Sequence, residues 1–456
     1  MNSIILSSVA GVVVSLGMLT AAYTISIMVY NVYFHPLSSY PGPRIAASTV
    51  LWYMYSLGSG QHHRHCIVLH KKYGKVVRVG PNKLSFISPE AYKEIYGHRP
   101  GKSEMPKDQV YYGTLAKENL IVSNNADHAR IRRLLAHAFS DRSLREQEDI
   151  MKQYVDLFMT RIAPVAQIGK SLDMVSWYNF TTFDIIGDLA FGEAFGSLEK
   201  SALHPWIQMI FEGIKAGTWL RCARYWPLLS KLLSWLIPKE LIRKRDDHQA
   251  LATQKVQKRL QQNVDRKDFT SYILRHNDEK GMSVREIEVN ANLLIIAGSE
   301  TTATLLSGAT YYLSLNPRAL KKATDEVRLT FQSEDEITID RAGRLSYLMA
   351  VVEESFRLYP PVPTGLPRVV PAGGEVIDGK FVPGGTAVAI SQLAAYHSPS
   401  NFRRPEEFIP ERWIEGSKFP EDQLAVVQPF SMGPRNCLGK KQVVSVLRDL
   451  ITREPG

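Results

Sequence analysis

The sequence predicts a mainly helical domain with small β-sheets, an α+β arrangement, preceded by one membrane-spanning helix. Three observations predict it. Residues Ile4 to Tyr33 form an apolar run, and no Lys, Arg, Asp or Glu occurs before Arg44; about 20 apolar residues suffice to cross a bilayer. Most of the remaining 456-residue chain carries apolar residues at helical spacing. Only short stretches alternate as strands do, each around a turn signal. No Gly/Ser-rich linker, repeat or low-complexity tract divides the chain after its first few dozen residues. The expected organisation is therefore an anchor over residues 1–34, a Pro-rich hinge over 35–44 and one large domain over 45–456.

At the end of the anchor, Tyr30, Tyr33 and Phe34 cluster as an interfacial aromatic belt would. Basic residues follow the run and none precedes it, which puts the large domain on the cytoplasmic side. A cleaved signal peptide would need a basic start and a shorter run. The prolines of His35-Pro36-Leu37-Ser38-Ser39-Tyr40-Pro41-Gly42-Pro43 block helix continuation and give a stiff hinge. Gln61-His62-His63-Arg64-His65-Cys66 has metal-ligand residue types, but with Leu69 to Gly74 it reads as an amphipathic surface helix. Lys75 to Phe86 is a hairpin around Gly80-Pro81-Asn82, and Gly374 to Val382 is another around Asp378-Gly379. Ser283-Val284-Arg285-Glu286 is a capping box. It opens a helix that runs to about Leu315 and stops at Asn316-Pro317. The middle of that helix, Leu293 to Ala297, is apolar nearly all round and is expected to be buried.

The net charge is +10, which admits nucleic acid, an anionic membrane or an acidic protein as partner. No Lys/Arg run with interleaved aromatics appears, so nucleic acid is set aside. The three cysteines, Cys66, Cys222 and Cys437, are too few and too odd in number for a disulfide framework and fit a reducing compartment.

Chemistry concentrates near the end of the chain, in Phe430-Ser431-Met432-Gly433-Pro434-Arg435-Asn436-Cys437-Leu438-Gly439. A lone Cys is usually a buried structural residue. Here Phe430, Gly433, Arg435 and Gly439 at fixed spacing point to a loop that presents a thiolate to haem iron. Gly433 and Gly439 would let backbone approach a flat macrocycle, and the Arg435 guanidinium matches a haem propionate. Upstream, Ala297-Gly298-Ser299-Glu300-Thr301-Thr302 lies inside the long helix. A mid-helix Thr bonds back to a carbonyl four residues earlier and bends the helix, and Gly298 would leave room for a flat group. Glu300 and Thr301 form an acid–alcohol pair able to relay protons. The bland alternative is a weakly kinked core helix.

These motifs resemble the cytochrome P450 family, from about Phe34 to Gly439. The resemblance implies that fold, haem b with Cys437 as the axial thiolate, and hydroxylation of a hydrophobic small molecule with O2. Electrons from NADPH would come through a separate reductase, with cytochrome b5 as a further donor, because no dinucleotide-binding segment is visible. Lys440 and Lys441, beside the Cys loop, would face the acidic donor. By the same resemblance Glu300 and Thr301 deliver protons, and Glu354, Arg357 and Arg412 form a buried structural cluster. Arg368, Arg132 and His128 would join Arg435 at the propionates. Many members carry Trp where this chain has His128, which otherwise reads as an exposed helix-start residue. Gly80 to Glu90 and His137 to Ser140 are similar to fungal members of the isotrichodermin C-15 hydroxylase type, which oxidise secondary metabolites such as terpenoids. The implied location is the endoplasmic reticulum membrane, single-pass. Pocket residues are expected in Tyr111–Val122 and Trp206–Trp219; Trp226, Leu232, Leu233 and Trp235 would dip into the membrane or fill the core.

Nineteen residues follow Cys437, fewer than in the family, and the match fades from Gln442. Val443, Leu447, Leu450 and Ile451 still make one helical face, while Arg448 and Asp449 are unexpected in a buried helix. The expectation is a truncated product that folds less stably and holds haem poorly. Two rivals to the monooxygenase are a reductase-independent isomerase or dehydratase and a non-catalytic remnant.

Overall fold

The computed structural model describes residues 2–453 except 114, 203, 227–231, 233, 234, 263, 265, 279 and 280; at 2–9, 245, 447–449 and 453 only the backbone is considered. Helix α1 (Asn2–Tyr33) is long and apolar enough to cross a membrane over Ala10–Tyr33, and that stretch has no buried residue. The segment after it is docked onto the domain. Leu37 is fully buried, and the Tyr40 hydroxyl donates to the Phe381 carbonyl at 2.9 Å. The Arg78 backbone N–H donates to Pro41 at 2.7 Å. The Arg78 guanidinium donates to the carbonyl of Asn31, inside α1, at 2.8 Å, and the Asn31 side chain donates to Ser48 at 3.0 Å.

Both expected hairpins form. β1 (Val76–Gly80) and β2 (Lys83–Phe86) pair antiparallel. Asp378 and Gly379 take positive φ, 52° and 73°, as a two-residue hairpin turn requires; they join β4 (Glu375–Ile377) to β5 (Lys380–Val382). β3 (Arg368–Val369) and β6 (Ala387–Ile390) complete a four-stranded sheet of order β1-β2-β6-β3, with β2 and β6 parallel.

The helices that position the site are α2 (Asn125–Ala138), α3 (Asp141–Gln167), α4 (Met174–Phe191), α5 (Val284–Leu315), α6 (Ser346–Leu358) and α7 (Lys440–Arg453). Helix α5 opens at the Ser283/Glu286 capping box, both halves of which form. One core joins Ile131 of α2, Phe158 of α3, Ile186 of α4, Leu306 of α5, Val351 of α6 and Leu450 of α7. A second, around the sheet, holds Phe86, Ile390, Tyr396 and Val426. On α7, Val446, Leu450 and Ile451 are buried; the side chains of Leu447, Arg448 and Asp449 lie outside the described residues, as does Leu233.

Three expectations need correction. The apolar middle of α5 is not uniformly buried: Ile295 is, Leu293, Leu294 and Ile296 are half-buried, and Ala297 is exposed. One side of α5 packs against α4, and Ala297 lies off that side. Trp206 belongs to the core and not to a pocket, since its indole packs on Phe183, Phe191 and Phe195. Leu232 and Trp235 are exposed and Trp226 is half-buried, so none of them fills the core.

Candidate functional site

The Cys437 loop is held from three sides. Its own backbone closes it, the Cys437 N–H donating to the Phe430 carbonyl at 2.8 Å and Asn436 N–H to Gly433 at 3.2 Å. The Phe430 ring stands edge-on to Phe356 of α6, with centroids 5.1 Å apart. From α2, Arg132 donates to the Asn436 carbonyl at 2.7 Å and to its side-chain oxygen at 2.5 Å. Gly433 has φ 73°, and a Cβ there would lie 2.0 Å from the Tyr96 carbonyl oxygen, so only Gly fits. Cys437 itself is exposed while Cys66 and Cys222 are buried. Although reachable by solvent, its sulfur is surrounded by protein atoms, and that desolvation pushes the thiol pKa up; the backbone N–H groups of Gly439 and Lys440 and the charge of Arg132 pull it back down. That surround favours a thiolate once a cation shares the site.

Beside the loop lies a cationic cradle. Arg435 donates to Glu104 through Nε at 2.9 Å and lies 2.8 Å from it through Nη2. Arg368 lies 3.7 Å from the other Glu104 oxygen and donates to the Met105 carbonyl at 3.0 Å. Lys107 faces Arg368 across a β-bridge and stacks its ammonium 4.8 Å above the Tyr112 ring. Its pKa falls to about 6, through burial first and then the repulsion of Arg368 and Arg435. His128 is buried on α2, not exposed at the helix start. Burial, then Arg435 and Arg132, lower its pKa to about 4, so it is a neutral imidazole. Arg368 and Arg435 thus share a single carboxylate, that of Glu104, with Lys107 close by. Two buried atoms, Arg368 Nε and Glu104 Oε2, have no hydrogen-bond partner among the described residues. Such orphans are costly, and the unpartnered Arg368 N–H can serve an incoming anion. Glu104 and Lys107 escaped the sequence reading because they sit on an irregular loop with no periodicity or motif.

In α5 the hydroxyl of Thr301 donates to the Ala297 carbonyl at 2.6 Å, and those of Thr302 and Ser299 back-bond likewise. Glu300 and Thr301 do not hydrogen-bond each other. Neighbouring side chains on a helix diverge by about 100°, and the Glu300 carboxylate instead accepts from Thr304 at 3.4 Å. Gly298 has a use within the protein besides the one expected. A Cβ there would lie 2.7 Å from Ile186 Cδ1, so Gly298 permits the close approach of α4. At Gly439 a Cβ would meet nothing closer than Phe139 at 3.8 Å, so the protein itself does not demand glycine there.

Burial raises the Glu300 pKa, opposed by the Thr304 hydroxyl. The unfolded chain therefore loses this proton first. The contribution to stability is full below the ordinary carboxylate value and is lost as pH rises through the raised one. Glu300→Gln removes that loss. The variant is expected to be more stable than the parent at pH 7, with the difference vanishing near pH 4, about the unfolded value. Urea unfolding at a series of pH values measures it; a variant less stable at pH 7 would contradict the assignment.

Behind the loop, Glu354 and Arg357 of α6 are fully buried. Arg357 donates through Nε and Nη2 to the two carboxylate oxygens at 2.9 and 2.8 Å. Arg412 lies 3.4 Å from Glu354 and pairs more closely with Asp422, a partner the sequence did not suggest. The Ile409 N–H and the Trp413 indole N–H each donate to Glu354 at 2.9 Å. Lys440, exposed at the start of α7, lies 5.7 Å over the Phe430 ring, and Lys441 is tied to Asp141 at 2.6 Å.

The family model described as Cytochrome P450 matches residues 41–441. The cytochrome P450 monooxygenase astA of Talaromyces wortmannii is 45% identical, over 97% of this chain and 90% of its own length. Cytochrome P450 monooxygenase astJ of Aspergillus oryzae is 45% identical, over 93% and 87%. Trichothecene C-4 hydroxylase of Trichoderma arundinaceum is 43% identical, over 93% and 87%.

Proposed function

The chain belongs to the cytochrome P450 family of monooxygenases, whose cofactor is haem b held through a cysteine thiolate, and on that premise we propose that Cys437 is the axial ligand and that the protein hydroxylates a hydrophobic fungal secondary metabolite. The observation that carries the reading is the exposed Cys437 thiol on a closed loop, two residues from Arg435 and its cationic cradle. The residues present fit the group: a sulfur supported by backbone N–H groups, and two guanidiniums of which one, Arg368, has a buried N–H without a partner among the described residues.

When bound, the haem supplies the activation of dioxygen and its transfer to a C–H bond. The chain's own residues do the rest. Cys437 gives sulfur to the iron. Arg435 and Arg368 would neutralise the haem carboxylates, and Lys107 and neutral His128 would offer N–H groups to them. Thr301 holds a proton at its hydroxyl beside the open face of α5. Glu300, with its raised pKa, delivers protons from solvent toward that hydroxyl through water, since the two do not touch. Glu354, Arg357 and Arg412 keep the loop's support rigid.

Helix α1 would anchor the chain in the endoplasmic reticulum membrane with the domain cytoplasmic, since the Lys and Arg residues follow α1. The exposed Leu232 and Trp235 would dip into the same bilayer. Lys440 beside the Cys loop supports docking of an acidic donor, NADPH–cytochrome P450 reductase, with cytochrome b5 as a second. A terpenoid or polyketide substrate is supported by the likeness to a trichothecene hydroxylase.

The test is the carbon-monoxide difference spectrum of the reduced protein in microsomes, followed by substrate screening with reductase and NADPH. The expected results are the red-shifted Soret band of thiolate-ligated haem and NADPH-dependent product. Absence of that band with protein present, or product formed equally without NADPH, would defeat the proposal.

A further inference from the structure

The Glu354 and Glu104 carboxylates both sit among arginines, yet they are built differently. Glu354 accepts four hydrogen bonds, two on each oxygen. Both of its oxygens are filled, although the nearby Arg412 Nε has no hydrogen-bond partner among the described residues, and it is a structural lock. Glu104 uses one oxygen, with Arg435, and its buried Oε2 finds only the Arg368 charge at 3.7 Å. Glu104 is carried on the irregular stretch between Tyr96 and Gln109. That stretch is pinned at its start, where Arg99 and Lys102 both pair with Glu375, and at its end, where the Asp108 N–H donates to Pro367 at 3.3 Å. Between the pins, a change of rotamer at Glu104 needs no change in the helices on either side.

We propose that Glu104 is an internal competitor for the haem carboxylates, seated on the donors they require, and that it sets how tightly this chain holds its cofactor. The inference rests on the haem reading above and adds a control to it. A haem carboxylate that recruits Arg435 and Arg368 takes the donors that Glu104 holds, so binding must displace it. Conversely, Glu104 keeps the Arg435 and Arg368 guanidiniums from facing one another unpaired when the cofactor leaves. Both effects follow from one carboxylate with two alternative roles: counter-ion to the empty protein and rival to the ligand.

The experiment compares the full-length protein with Glu104→Gln and Glu104→Asp, each in detergent micelles and loaded with haem. Gln keeps size and removes charge; Asp keeps charge and withdraws it from Arg435. The reduced carbon-monoxide spectrum is recorded first, then the equilibrium partition of haem against apomyoglobin, then thermal unfolding of the haem-stripped proteins. A lost charge-assisted hydrogen bond of this kind predicts a shift in partition of about tenfold in favour of the Gln variant. The Asp variant should shift less in the same direction, and both stripped variants should unfold at lower temperature than the stripped parent. Unchanged or weaker haem retention in whichever variant folds overturns the inference alone, because the spectrum will already have shown thiolate-ligated haem. A parent with no such spectrum overturns the functional reading and this inference with it.

Discussion

Cys437→Ser is expected to abolish the red-shifted carbon-monoxide band and to lower turnover by more than about a hundredfold, equivalent to about 2.7 kcal/mol or more in the barrier. The reasoning is local. Serine fits the space of cysteine, so the Cys437 N–H bond to Phe430 and the Arg132 clamp on Asn436 persist. What changes is the donor: a hydroxyl does not ionise in a site where even the thiol is pushed up by burial. The remaining cysteines offer no substitute. Cys66 is fully buried, with its pKa raised to about 11 by that burial, and Cys222 is buried as well. A Ser variant that keeps the thiolate band would place the ligand elsewhere and end the assignment.

Glu354→Ala is expected to have the largest effect on folding. It leaves the Arg357 guanidinium, fully buried, without its carboxylate, and it strips the Ile409 N–H and the Trp413 indole of their acceptor. Breaking a buried pair by removing one partner costs about 3–5 kcal/mol. Domains are stable by only about 5–15 kcal/mol, so the variant is expected to accumulate poorly and to carry little haem. Arg357 also donates to the carbonyls of Tyr396, Pro405 and Glu407, and it would lose the anion that orients it toward all three. The measurement is yield and thermal midpoint relative to the parent. A variant within about 1 kcal/mol of the parent would show that the cluster contributes no more than an exposed pair does.

The elements legible in the sequence are those with a local cause. The α5 capping box lies within four consecutive residues, and the β4–β5 turn needs only Asp378-Gly379. The membrane-length helix is a matter of composition. Back-bonding by Thr301 follows from helix geometry alone. What the sequence hid has a partner far along the chain. Glu104 meets Arg435, 331 positions on, and no periodicity marks either end. The reason for Gly298 is likewise tertiary, since the side chain that needs its room belongs to another helix. His128 looked like a surface residue because it lies in the first turn of α2; its burial is decided by what packs over that turn. The divergence of Glu300 from Thr301 was available from the helix pitch and could have been read without the structure.

The docking of the α1 end has a mechanical meaning. A flexible tether would let the domain swivel over a bilayer and sample many tilts. Here the Arg78 guanidinium, rooted in the sheet, grips the carbonyl of Asn31 inside the helix and that of Pro81 beside it. Asn31 in turn grips Ser48. The long apolar helix is thereby a strut, continuous with the sheet. In a membrane, the angle of that strut would dictate which flank of the protein meets the lipid, and so from which side an oily molecule dissolved there would arrive.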